Sequence, residues 1–155
     1  MQQAGLIDIL YWLRRWTRRV LRLRSRGVKV LLFNARGEVA LIRNTYGNRD
    51  QFVLPGGGIR WRESVADAAA REVREELGLE VANLQLRSLH SSRVEGGRDE
   101  IALFEGRASG RLIVDRFEVR EARFVLPHDP PGKTSPATRR RIEEYLGRRE
   151  PDGTW

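Results

Sequence analysis

A chain of 155 residues with 29 Lys and Arg, 21 Asp and Glu and no cysteine has room for one ordinary globular domain and excludes disulfides, thiolate metal sites and thiol nucleophiles. No apolar run approaches the ~20 residues of a membrane-spanning helix, and the N-terminus lacks the pattern of a secretory signal, so the expected location is the cytoplasm. The net charge of +8 sits at one end: residues 1–30 carry seven Arg and Lys29 against Asp8 alone, and the rest is nearly neutral, which argues against reading the charge as a nucleic-acid-binding fold.

The first 26 residues read as a basic amphipathic helix. Leu6, Ile9, Leu10, Leu13, Trp16 and Val20 recur at three- and four-residue spacing, with Arg14, Arg15, Arg18, Arg19 and Arg22 mostly off that stripe. Val28–Phe33 and Val39–Ile42 are apolar runs joined by Asn34-Ala-Arg-Gly37, a hairpin pattern. A polar stretch, Arg43–Gln51, leads to Phe52-Val-Leu-Pro55 and then to Gly56–Gly58. Ser64 opens a helix to about Leu77, with Asp67 completing a capping-box pattern and Gly78 at the C′ position. Strands are expected over Leu84–Leu89, Glu100–Arg107 and Phe117–Val125, with a polar loop over Ser91–Asp99. Ser135-Pro136 opens a last helix that ends at Gly147. The expected organisation is an N-terminal helix over 1–26, one domain over 27–147 and a loose tail over 148–155.

The stretch from Gly57 to Leu79 carries the chemistry. It reads Gly57, five residues, Glu63, seven residues, Arg71-Glu72-Val73, one residue, Glu75-Glu76, one residue, Gly78-Leu79. At about 100° per residue, Glu75 lies about 60° to one side of Glu72 and Glu76 about 40° to the other. Three like charges on one arc repel, and a purely structural helix has no need of them. Oxygen-rich clusters of this kind suit hard divalent cations such as Mg²⁺ or Mn²⁺. Ala66, Ala69, Ala70, Val73 and Leu77 occupy the adjacent arc, so the helix is expected to pack on a sheet with the carboxylates at the edge of the contact. Arg71, four residues before Glu75, is placed to hold it. The glycines can bring bare backbone close to a ligand, and a carbonyl there can complete a metal shell.

At these residues the sequence resembles the Nudix hydrolase family, whose signature is this box, and every fixed position of the box is filled. The resemblance covers roughly residues 27–146. It implies an α/β (α+β) fold, a mixed β-sheet sandwiched between helices, here with an extra N-terminal amphipathic helix. It also implies metal-assisted attack of water on a phosphorus of a nucleoside diphosphate linked to another group, with Mg²⁺ or Mn²⁺ as cofactor. Carried over residue by residue, it assigns Glu75 and Glu76 as principal metal ligands and Gly56 as a carbonyl ligand. Glu72 becomes a ligand or the base, and Glu63 and Arg71 organise the site. A further acid from a later strand is expected at Glu118, with Glu100 and Glu121 as runners-up.

Substrate choice is hardly legible. Tyr46, Phe52 and Trp61 flank the box and either stack on a base or pack. Arg43, Arg49, Arg60 and Arg62 bind phosphates or face solvent, and His90 is expected to be packed and hydrogen-bonded. The proline of ADP-sugar enzymes is missing where Val94-Glu95-Gly96 stands, the tyrosine of dinucleoside polyphosphate enzymes is absent from that region, and Leu41–Gly57 does not match the coenzyme A signature. The alternative to an enzyme is a catalytically silent module that binds a nucleotide or an RNA end. The N-terminal stripe must be buried on this domain, in a homo-oligomer or at an anionic membrane surface, and packing on protein is the preferred expectation.

Overall fold

A computed structural model describes residues 26–94, 97–114 and 116–155, so the expectations for the N-terminal helix lie outside the described residues. Five strands form one mixed sheet: β1 (Arg26–Phe33), β2 (Val39–Asn44), β3 (Glu80–Val94), β4 (Gly97–Ser109) and β5 (Val119–Val125), in the order β3-β4-β1-β2-β5. β1 runs parallel to β4, and the pairs β1–β2, β2–β5 and β3–β4 are antiparallel. Helix α1 (Val65–Leu77) covers one face and α2 (Pro136–Tyr145) the other. Among the described residues no helix is long and apolar enough to cross a membrane.

Alternation along β1 divides the core. Val28, Val30 and Leu32 join Ala68, Ala69, Val73 and Leu77 of α1, whereas Leu31 and Phe33 join Leu41, Phe52, Leu54 and Ile142 on the face of α2. A strand covered on both faces becomes a near-continuous apolar run, which is how Val28–Phe33 reads in the sequence. The expected hairpin turn forms at Asn34, whose Oδ1 accepts from Arg36 N–H at 2.9 Å and Glu38 N–H at 3.0 Å.

The site depends on a split in this sheet. β1 and β2 pair at their turn end, with Phe33 opposite Val39. Beyond it, residues 53–58 fill the gap. Ile42 and Val53 exchange two hydrogen bonds of 2.9 Å, while Val30 N–H donates to Pro55 O at 3.0 Å and Val28 N–H to Gly57 O at 2.9 Å. Gly56 has φ 136°, and a Cβ there would lie 2.2 Å from the Val28 carbonyl oxygen. A bare backbone is therefore required at that point of contact.

Several expectations need correction. The strand expected over Leu84–Leu89 is part of a hairpin in which β3 extends to Val94 and β4 begins at Gly97, so most of the expected polar loop is strand. Polar and basic residues are tolerated there because β3 is an edge strand with a solvated face. The last strand starts at Val119, and Phe117 lies in the turn before it. On α1 the buried face is Ala68, Ala69, Glu72, Val73, Glu76 and Leu77, and Ala66 is exposed. The packed arc is thus rotated toward the glutamates, and two of them enter the helix–sheet contact instead of lying at its edge. Finally, the tail expected to be loose makes specific contacts. Ser91 N–H donates to Gly153 O at 2.9 Å, Trp155 N–H donates to Ser91 O at 3.2 Å, and Trp155 packs on the core of the α2 face.

Candidate active site

The loop from Gly56 to Glu63 and the first turns of α1 are built as one unit. Ser64 caps the helix, its hydroxyl accepting from Asp67 N–H at 3.1 Å and donating to Asp67 Oδ2 at 2.6 Å. Gly78 closes it at φ 65°, with its N–H donating to Arg74 O. The caps fix where the helix begins and ends, and hence which way Arg71, Glu72, Glu75 and Glu76 point.

Arg71 is the hub. Its Nε and Nη2 donate to the two oxygens of Glu63 at 2.6 and 2.9 Å, a paired arrangement. Nη1 donates to Glu72 Oε1 at 2.7 Å and to Glu75 Oε2 at 3.0 Å. Nη2 also donates to Gly58 O at 2.9 Å, tying the helix to the glycine loop. The Arg71 pair holds the Glu63 carboxyl down to about 2, against an ordinary 4.5, with help from Arg60 N–H. The same contacts, Glu63 first, push the Arg71 guanidinium further up. Arg71 therefore does more than the expected hold on Glu75.

Glu76 is different. Its side chain points into the contact with the sheet, the residue is 3% exposed, and Oε2 accepts from Gly56 N–H at 2.8 Å. Burial pushes its carboxyl up to about 8; Lys29 and the Gly56 N–H pull it down, and the charges of Glu72 and Glu118 push it up further. Glu118, in the turn before β5, thus lies within electrostatic reach of the box, and its carbonyl accepts from Thr45 N–H at 3.0 Å. Glu72 lies against Gly57, where a Cβ would come within 2.6 Å of the carboxylate. Glu75 is the solvent-facing member, bonded to Arg60 Nη2 at 2.9 Å as well as to Arg71.

The donor set fits a hard divalent cation. It consists of carboxylates and a backbone carbonyl, and Glu76 is buried beside the like charges of Glu72 and Glu118. Among the described residues no three acidic or imidazole side chains already converge as a metal cluster. Glu72 and Glu75 are turned to arginines and Glu76 to a backbone amide, so a cation has to compete with these partners.

The other expected residues scatter. Glu100 pairs with Arg26 at 3.8 Å, and Glu121 with Arg43 at 3.5 Å and Arg123 at 3.3 Å. Phe52 is buried under the guanidiniums of Arg43 and Arg123, 5.3 and 4.2 Å from its ring centroid, and cannot stack on a base. Trp61, by contrast, is 89% exposed, next to Arg62 at φ 60°. A left-handed residue other than glycine is an uncommon, costly conformation. His90 is buried against Arg141 and bonded to Ser88 Oγ at 2.7 Å, as expected of a packed histidine. Two residues escaped the sequence reading. Lys29 and Arg141 read as one basic side chain in a strand and one in a charged helix, and only the tertiary structure half-buries the first and buries the second. The alternation of Lys29 with Val28 and Val30 was the one available signal.

Known proteins share this fold and family. The family model for the NUDIX domain matches residues 23–145. An uncharacterized Nudix hydrolase of Pseudomonas aeruginosa is 35% identical over 110 residues, which cover 66% of this chain and 63% of that protein. The chain therefore spans less than two thirds of that relative's length. The crystal structure of a MutT NUDIX hydrolase from Burkholderia pseudomallei superimposes with a TM-score of 0.70 at 23% identity, covering 78% of this chain and 97% of that one. A NUDIX hydrolase from Nitrosomonas europaea gives 0.69 at 20% identity, covering 84% and 94%. At these identities the two structures speak for the fold.

Proposed function

Because this chain belongs to the Nudix family, we propose that it is a metal-dependent hydrolase of a phosphoanhydride bond in a nucleoside diphosphate linked to another group, acting in the cytoplasm. The observation that carries this reading is the joining of every box residue in one structure: Arg71 binds Glu63, Glu72, Glu75 and the Gly58 carbonyl, while Glu76 is buried on Gly56 N–H.

Gly56, through its carbonyl, and Glu72, Glu75 and Glu76 would hold Mg²⁺ or Mn²⁺. The bound ion would supply screening of the phosphate oxygens and activation of water. Glu63 and Arg71 position the ligands by a charged hydrogen-bond network. Glu72, lying against Gly57, is placed either to ligate or to take the proton of the attacking water. Glu118 is the further acid, supported by its electrostatic effect on Glu76. Trp61 is the aromatic beside the box that is left in solvent for contact with a base.

Turnover of a panel of nucleoside triphosphates, ADP-ribose, dinucleoside polyphosphates and 5′-triphosphate RNA tests the reading. At least one compound is expected to be hydrolysed with Mg²⁺ or Mn²⁺ and spared with chelator. A folded protein silent on the whole panel with both metals would instead be a binding module. Glu118→Gln is expected to lower kcat more than it raises KM, and unchanged kinetics would remove Glu118 from the site.

A further inference from the structure

The four carbonyls that enter the glycine loop are all held from one strand. β1 supplies backbone N–H groups to Pro55 O at 3.0 Å and Gly57 O at 2.9 Å. Between those two donors, on the same strand, Lys29 reaches in with its ammonium. Nζ donates to Leu54 O at 2.8 Å and to Gly56 O at 3.0 Å. Gly56 O is the backbone oxygen assigned to the metal, so an amine donor already sits on one of the proposed ligands. The Lys29 charge also acts on Glu76 and Glu72, the two carboxylates packed into the helix–sheet contact.

We propose that Lys29 is a resident cation of the metal site: it holds the Gly56 carbonyl beside the Glu72 and Glu76 carboxylates in the metal-free protein, and it thereby weakens the binding of divalent metal. This rests on the reading that Gly56, Glu72 and Glu76 hold the ion. A divalent cation brought to Gly56 O meets a like charge one hydrogen bond away, in a half-buried site. It must share or displace the ammonium. The diphosphate of a substrate brings negative charge of its own, which offsets that repulsion. The free protein therefore takes metal weakly, and metal and nucleotide bind with mutual support. Lys29 is a positioning residue here: it acts on the ligands and on the affinity for metal, not on the reacting atoms.

Mn²⁺ binding to the substrate-free protein, followed by electron paramagnetic resonance, tests this in the wild type and in Lys29→Met, Lys29→Gln, Lys29→Arg and Glu76→Gln. Lys29→Met and Lys29→Gln are expected to bind Mn²⁺ at least about tenfold more tightly, because each removes the repelling charge. Gln keeps an amide donor for the carbonyls, so it serves if Met does not fold. Lys29→Arg keeps the charge and is expected to stay near the wild type. Equal or weaker affinity in the folded uncharged variants overturns the proposal, as does tightening in Lys29→Arg. Glu76→Gln separates the two levels of the argument. If it leaves Mn²⁺ binding unchanged, or if neither the wild type nor the uncharged Lys29 variants bind any, the metal site itself is wrong and the proposal falls with it. If it abolishes binding while Lys29→Met binds like the wild type, only the role of Lys29 fails.

Discussion

At the scale of residues, two glutamates in one box are driven in opposite directions by their surroundings. Glu63 faces Arg71 and is held at about 2, whereas Glu76 is buried and raised to about 8, both from an ordinary 4.5. A depressed carboxyl stabilises the fold above its unfolded value and loses that contribution as pH falls; a raised one opposes folding as pH rises toward the folded value. Glu63→Gln should therefore lower the melting temperature at neutral pH, with the deficit shrinking from about pH 4.5 toward pH 2. A deficit that is constant over that range would show that its charge is not the cause. Glu76→Gln mimics the protonated form. It should melt higher than the metal-free wild type, by a margin that widens between pH 5 and pH 9, while kcat falls at least about a hundredfold through loss of a proposed ligand. Near-wild-type turnover would take Glu76 out of the metal shell, and a margin independent of pH would refute the account of its burial.

At the scale of elements, the legible parts were those whose signals are local. Ser64, Asp67 and Gly78 mark the ends of α1, and the apolar runs on either side of Asn34-Ala-Arg-Gly37 mark the first hairpin; all four features act through contacts a few residues apart. The box carboxylates were legible for the same reason, because helical spacing alone puts them on one side. The rotation of that side into the sheet was not, since it depends on residues 53–58 wedging between β1 and β2. The β3–β4 hairpin was also under-read: its strength lies in cross-strand pairing over Glu80–Val94 and Gly97–Ser109, not in the composition of either strand. The tail shows the same limit. Arg141 has no exposed surface and donates to Thr154 O at 2.6 Å and to Glu144 at 2.6 Å, and the Trp155 ring lies 5.6 Å from its guanidinium. Nothing in Arg148–Trp155 announces a contact with an arginine of α2. Deleting residues 150–155 takes one acceptor from a buried charge and uncovers the core of the α2 face. The expected cost is about 1–3 kcal/mol, a fall in melting temperature of roughly 3–10 °C. A truncated protein that melts with the full chain would return the tail to the loose segment its sequence suggests.

At the scale of the whole molecule, charge and apolar surface are distributed unequally. Residues 1–30 hold nearly all of the net +8 and residues 31–155 are nearly balanced; β1 begins within the basic segment at Arg26, in register with Glu100 of β4. Leu6, Ile9, Leu13, Trp16 and Val20 recur at helical spacing and, left in water, would form a patch larger than monomers ordinarily expose. The domain has apolar surface to offer. Leu86 and Leu89 of edge strand β3 are 55% and 69% exposed, opposite Phe104 and Ala102 in the register of β4. Burial of the stripe on this domain or on a second subunit removes apolar area from both surfaces, whereas a lipid interface uses the stripe and the arginines together. Our hypothesis is that the stripe packs on protein and the arginines face solvent. Deleting residues 1–24 is then expected to lower the melting temperature or change the oligomeric state, while Mn²⁺ binding persists, because no proposed ligand lies in that segment. Co-sedimentation with anionic vesicles supplies the opposing outcome. Strong binding that disappears with the deletion, without loss of stability, would overturn this hypothesis, and its salt sensitivity would report the arginines, because surface charges attract acidic headgroups only within a Debye length of about 10 Å at moderate salt.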